Sequence, residues 1–282
     1  MVGALACVVL AGCNGPANSV AALPPGVRVE VYQTRSDVSD RAIEISISNQ
    51  SNSAVVVQAA SLSTSQFVEP ARWQPTHGEV EFAPGRTIDL RALLPLPSCE
   101  EPPQVGAVTI DFTVDGTAGS ASLPIVDRFD RLPVMRAEEC LLDSLSQIAA
   151  LDFVTPVRTE VRGSTVVGLV DLLLAPTGSA GTWTMDSVED TVLLGLADLK
   201  GREVDQLVLD TTVEADGPPV TVTVPIVPHR CDPHAVAEDK QGTIFTFHVT
   251  TREASGVTFR LPTSPEVRSE IYAYVQRACT TD

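Results

Sequence analysis

The run Ile43-Glu44-Ile45-Ser46-Ile47-Ser48 alternates apolar and polar residues without a break. In an extended chain successive side chains point to opposite faces. Ile43, Ile45 and Ile47 therefore share one face, and Glu44, Ser46 and Ser48 the other. A strand with one buried face has this pattern. The same period resumes after the turn-forming Asn49-Gln50-Ser51-Asn52-Ser53, in Val55 and Val57. It returns in Val108, Ile110, Phe112 and Val114, and in Val220, Val222 and Val224. Ile244, Thr246 and His248 share one face, with Phe245, Phe247 and Val249 on the other. Gly, Pro, Asn and Asp split these segments at short intervals, and no strand–helix alternation runs long enough to build a parallel sheet. The pattern predicts a mainly β protein: two Ig-like antiparallel β-sandwich domains, each with a short helix at its C-terminal end.

Helical spacing occurs in two places. Leu141, Leu142, Leu145, Ile148 and Ala149 form one stripe of 138–151, and Val267, Ile271 and Val275 repeat every four residues within 265–279. Ser264 is placed to cap the second helix, with Pro265 and Glu266 in its first turn. A short repeat also links the two halves. Asp115-Gly116 precedes Pro124-Ile125-Val126 at the spacing that separates Asp216-Gly217 from Pro225-Ile226-Val227. Each copy has the form of a hairpin. The repeat predicts two similar, separately folding domains at 26–151 and 152–282, sizes that a chain of 282 residues accommodates.

At the N-terminus, the uncharged stretch from Met1 to Ala11 is too short to span a membrane, which takes about 20 apolar residues. It suits the apolar core of a secretory signal over 1–12. Leu10-Ala11-Gly12-Cys13 ends it, and a small-residue, Pro/Gly-rich stretch follows over 13–25. These residues resemble the lipobox and tether of bacterial membrane lipoproteins. The resemblance implies diacylglyceryl modification of Cys13, which becomes the mature N-terminus, and an extracytoplasmic location. Ala4-Leu5-Ala6 makes Cys7 a poorer lipidation site. No Lys or Arg precedes the apolar core, and a translation start further upstream would supply one. The Ala/Val-rich, Lys-poor, acidic remainder is similar to surface lipoproteins of high-GC Gram-positive bacteria.

With Cys7 in the signal and Cys13 lipidated, Cys99, Cys140, Cys231 and Cys279 remain. An even number in an exported protein suggests disulfides. Of the three pairings, Cys99–Cys140 and Cys231–Cys279 keep each bond within one domain. Four free thiols are the alternative. Zinc is disfavoured because no CxxC pair is present.

The formal net charge of −17 argues against a nucleic-acid partner, whose phosphates need Lys and Arg. The chain is 44% hydrophobic, enough for a packed core. No GxSxG, HExxH or P-loop is present, and no cofactor is expected. The densest functional cluster is His229-Arg230-Cys231-Asp232-Pro233-His234. It is either a polar loop at a disulfide or a contact surface for a ligand. His229, Asp232 and His234 also supply imidazole and carboxylate ligands suited to zinc or copper. Trp73, beside Arg72, is either a partner anchor or a cover over one end of a sandwich core. The sequence therefore predicts a membrane-anchored binding or envelope-organising protein, whose partner is an envelope protein or polysaccharide. The alternatives are a metal-binding protein and an enzyme with an unfamiliar site.

Overall fold

The computed structural model describes residues 21–75, 78–100 and 106–280. The expected signal, the lipobox and Cys13 lie outside the described residues. In the N-terminal half the order is β1 (Val27–Tyr32), α1 (Arg35–Asp40), β2 (Ala42–Asn49), β3 (Val55–Ser63), β4 (Ala71–Arg72), β5 (Val80–Phe82), β6 (Thr87–Leu93), β7 (Ala107–Val114), β8 (Thr117–Pro124) and α2 (Arg131–Ser146). The C-terminal half continues with β9 (Ala149–Arg162), β10 (Thr165–Pro176), β11 (Thr182–Glu189), β12 (Leu194–Ala197), β13 (Glu203–Val204), β14 (Gln206–Glu214) and β15 (Val220–Pro228). It closes with α3 (Pro233–Ala237), β16 (Ile244–Thr250), β17 (Val257–Pro262) and α4 (Pro265–Cys279).

Every pairing between these strands is antiparallel. The first half stacks the sheet β1-β2-β6 on the sheet β4-β3-β7-β8, with β5 also on β3. Ile43, Ile45, Ile47 and Leu90 from one sheet bury against Val57, Leu62, Ile110 and Phe112 from the other. The second half stacks β13-β12-β15-β10-β9 on β14-β11-β16-β17. Leu172, Val224 and Ile226 meet Met185, Phe245, Phe247 and Phe259 there. The protein is mainly β and sandwich-like, as the alternation predicts.

Both expected disulfides are present. Cys99–Cys140 ties α2 to its sandwich, and Cys231–Cys279 ties α4 to the loop after β15. Helix α4 has the expected limits: the Ser264 hydroxyl accepts from the Val267 N–H at 3.3 Å, and Val267, Ile271 and Val275 are buried. Helix α2 does not match its expected range of 138–151. It starts at Arg131, where the Asp127 carboxylate accepts from the Leu132 N–H at 2.7 Å. It stops at Ser146 because Ala149 to Leu151 join β9 and pair with β10. Position 151/152 thus falls inside a strand. Leu132 and Met135 of α2 sit in the first core and Leu145 in the second, so the seam between the halves runs along this helix.

The two Asp-Gly turns also differ. Asp115 and Gly116 have φ of 49° and 76°, the left-handed pair of a tight hairpin turn, and β7 pairs with β8. Asp216-Gly217 leads instead into Pro218-Pro219 and a crossover, because β14 and β15 belong to different sheets. The sequence match between the two segments does not reflect a repeated fold.

Strand β2 departs from the expected single buried face. Glu44 and Ser46, on its polar side, are only 9% and 4% exposed. Helix α1 brings Asp37 close to Glu44. Its Asp37 pairs with Arg91 at 2.9 Å, and its Asp40 pairs with the same guanidinium at 2.7 Å. Tyr32 donates to Asp89 at 2.8 Å, and Arg128 lies over the Tyr32 ring at 4.3 Å. Glu44 sits in register between Tyr32 and Arg91. Burial, then the charges of Asp37 and Asp89, push its carboxyl up to about 7.

Two outcomes are expected. Glu44 binds its proton more tightly in the folded chain than in the unfolded one. Stability therefore falls as pH rises from the ordinary glutamate range through about 7, and the Glu44 contribution is flat above that. Glu44→Gln removes this cost, so thermal or urea unfolding should show the variant more stable at pH 8 by about 2 kcal/mol, with no gain near pH 4. Cys99→Ser/Cys140→Ser should lower stability by about 2–4 kcal/mol in the same assay, measured against the unreduced parent.

Candidate functional site

The seam between the halves carries a groove. Helices α1 and α2 form one wall; β16, β17 and the loop 229–243 form the other. Two polar links cross it. Arg260 of β17 pairs with Glu138 of α2 at 2.8 Å, and Gln241 Nε2 donates to the Arg35 carbonyl at 3.2 Å. Arg41, just after α1, braces the same wall. It contacts both Glu139 oxygens, at 2.7 and 2.9 Å, and donates to the Leu94 and Pro95 carbonyls. The hydrogen bonds to Glu139 raise the Arg41 pKa further above its ordinary value.

The loop is shaped by local constraints. The His229 N–H donates to the Leu193 carbonyl at 2.9 Å, extending the β12–β15 ladder. Cys231 then ties the chain to the end of α4. Asp232 caps α3, accepting from the His234 N–H at 3.0 Å. The Asp239 carboxylate gathers the following turn: it accepts from Gln241 N–H at 3.2 Å, Gly242 N–H at 2.7 Å and the Tyr272 hydroxyl at 2.8 Å. Burial, with the Asp239 bond second, pushes the Tyr272 phenol up to about 12. Gly242 is wedged against β12: a Cβ there would stand 2.3 Å from Leu193 Cβ and 2.7 Å from Asp239 Oδ1.

Three adjoining hollows make up the groove. The central one, of about 520 Å³, is lined by His229, Arg230, Gln241, Thr246 and Arg260, with Asp190 on its floor. Burial and the charge of Asp205 hold Asp190 above the usual carboxylate range. On one side, sharing Arg230 and Gln241, lies a hollow of about 540 Å³ with Arg35, Lys240 and His234. On the other side, sharing Ile244 and Arg260, lies a hollow of about 410 Å³ whose walls include Val38, Leu96, Met135 and Leu142.

The histidine-rich loop is thus at the groove, but its residues are split between hollows. Arg230 and His229 enter the central one, while Asp232 and His234 line the neighbour. The His229 Nδ1 is engaged with Glu203 at 2.6 Å. The Asp232 carboxylate is engaged in capping. Among the described residues no group of three or more His, Cys, Asp or Glu side chains stands close enough to hold a metal ion. His248 lies apart, its Nε2 2.6 Å from Glu189.

Trp73 is not at the groove. Half-buried, it packs on the first core and bridges Ala92, and Arg72 before it belongs to β4. Trp183 is 2% exposed within the second core. The groove residues missed from the sequence are Arg41, Glu138, Glu139, Met135, Leu142 and Arg260. The polar partners of Arg41, Glu138, Glu139 and Arg260 lie 53 to 122 positions away, so no local spacing announces them.

No protein-family model and no curated protein matches the chain. Among solved structures it is similar to the YadV chaperone, at 10% identity and a TM-score of 0.25, with 84% of this chain and 98% of that one covered. It is also similar to the CupB2 chaperone of Pseudomonas aeruginosa, at 13% identity and a TM-score of 0.21, covering 80% and 95%. Red sea bream transglutaminase aligns at 8% identity and a TM-score of 0.24 over 84% of this chain; the chain spans 31% of that enzyme's length. TM-scores this low transfer no ligand, activity or partner to the groove.

Gly242→Ala should push the loop off β12, at a cost of about 1–3 kcal/mol of stability. Hydrogen exchange should show faster exchange at the His229 amide, whereas Gly256→Ala on an open turn should leave that amide unchanged.

Proposed function

We propose that this protein is a membrane-anchored, extracytoplasmic lipoprotein with a binding role. The observation that carries the reading is Leu10-Ala11-Gly12-Cys13 after an apolar stretch, which directs lipid to Cys13. Two disulfides support it, since such bonds persist in oxidising compartments outside the cytoplasm. Among the described residues no helix is long and apolar enough to cross a membrane, so in this reading the lipid on Cys13 makes the membrane contact. The net charge of −17 supports a soluble body held above the membrane rather than adsorbed on anionic lipid.

The groove along the seam supports a binding role. It is concave, mixes an apolar wall with a few polar groups, and is braced by side-chain links from both halves. The rings of His229 and His248 are engaged with Glu203 and Glu189. Nothing in this arrangement favours a metal-binding role for His229, Asp232 and His234. The partners that fit an envelope location are a lipid, an envelope protein or a polysaccharide.

Expression in a bacterial host fed labelled fatty acid tests the anchor. Label should enter the parent chain and the membrane fraction should hold it. Cys13→Ala should take up no label and should leave the membrane. Equal labelling of the two chains would sink the assignment.

A further inference from the structure

We propose that the seam groove binds a long-chain carboxylate, with its alkyl chain between α2 and β17 and its head group at Arg230. The inference rests on the binding role argued above and names the ligand class. Three observations carry it.

The first is the asymmetry of the groove. Its α2 end is walled by Val38, Leu96, Pro97, Met135, Leu142 and Ile244. Four of the charged groups on that wall are paired, Arg41 with Glu139 and Arg260 with Glu138; Asp143 is the fifth. Between them the surface is mostly hydrocarbon, in a volume of about 410 Å³. Leu96 stays 67% exposed there, an apolar surface that an alkyl chain would cover.

The second is the opposite end. Arg230, Arg35 and Lys240 are exposed and, among the described residues, pair with no carboxylate. In a chain with 36 acidic and 19 basic residues, three such cations around one hollow stand out. Three carboxylates line the same hollow: Asp232 caps α3 and Asp239 accepts three hydrogen bonds, so both have donors within the chain, while Asp232 and Glu238 are exposed. An arginine fork with free N–H groups matches a carboxylate, and the Thr246 and Gln241 side chains share its hollow.

The third is continuity. Ile244 and Arg260 line both the apolar and the central hollow, and Arg230 lines both the central and the cationic one. One extended molecule can therefore reach both ends. A short anion would leave the apolar wall wet, and a neutral hydrocarbon would leave the cations without a partner.

The full chain carrying Cys13→Ala, free of its own lipid, is titrated calorimetrically with dodecanoate and, separately, with dodecanol and hexanoate. Dodecanoate should bind saturably at one site, and dodecanol about tenfold more weakly or less. Hexanoate should give no detectable heat. Arg230→Gln should weaken dodecanoate by about fivefold or more and leave dodecanol unchanged. Ser39→Trp, which fills the apolar end from the half-buried face of α1, should abolish both. Arg72→Gln, an exposed cation away from the groove, should bind like the parent. Circular dichroism confirms that each variant is folded. The proposal fails if dodecanol equals dodecanoate, if heat rises without saturation, or if Arg230→Gln and Ser39→Trp both bind like the parent. Label on the parent at Cys13 with no dodecanoate binding by the Cys13→Ala chain defeats the ligand and leaves the anchor standing. Dodecanoate binding by the Cys13→Ala chain with no label on the parent does the reverse.

Discussion

One helix serves two hydrophobic cores, and the relation between the halves depends on it. Helix α2 puts Leu132 and Met135 into the first sandwich and Leu145 into the second. The Cys99–Cys140 bond pins its middle to the first half, while Glu138 reaches Arg260 of the second. A helix can do this because side chains leave it in all directions: at 3.6 residues per turn Leu132 and Met135 lie close together on one side, and Leu145, about three turns on, points to another. Removing α2 would strip a wall from both cores, so neither sandwich is closed without it. The groove lies where α1 and α2 of the first half face β16, β17 and the 229–243 loop of the second.

Helix α1 shows how a short element can be held almost wholly by electrostatics. It has six residues, too few to be stable alone. Arg91 binds its Asp37 and Asp40, and Asp37 is 1% exposed. A buried carboxylate is tolerable only when paired and hydrogen-bonded, and Asp37 also accepts from the Thr34 N–H at 2.7 Å. Glu44 beneath it lacks such a partner, and its carboxyl is pushed up in consequence. Covering the polar face of β2 thus creates a titrating group in the neutral range, beside the helix that also forms one wall of the groove.

The groove owes its shape to positions that a local reading treats as unremarkable. Gly242 permits the loop to touch β12, Asp239 gathers three donors, and Cys231 anchors the loop to α4. The polar character of the 229–234 segment was legible because Arg and His cluster there within six residues. What they face was not. His229 and Arg230 both line the central hollow, but the His229 ring is engaged with Glu203 while Arg230 has no carboxylate partner among the described residues.

The sequence by itself determined the class of structure. Period-two alternation marked β2, β7, β15 and β16, since a strand's two faces follow from backbone geometry alone. Ser264-Pro265-Glu266 marked the start of α4, since capping is local chemistry within one turn. Two cysteines in each half led to the observed disulfides. Tertiary structure decided everything that depends on partners. Alternation states which face of a strand is apolar and not which strand lies beside it, so Asp115-Gly116 made a hairpin while Asp216-Gly217 led across to the other sheet. Alternation also cannot say whether a polar face is covered, and here Glu44 and Ser46 are buried. The limits of α2 moved for the same reason: Ala149 to Leu151 carry helical spacing, yet pairing with β10 holds them in a strand. Long-range pairing outweighs local propensity because each ladder bond and buried side chain adds to one cooperative core, while propensity differs between residues by only about 1 kcal/mol or less.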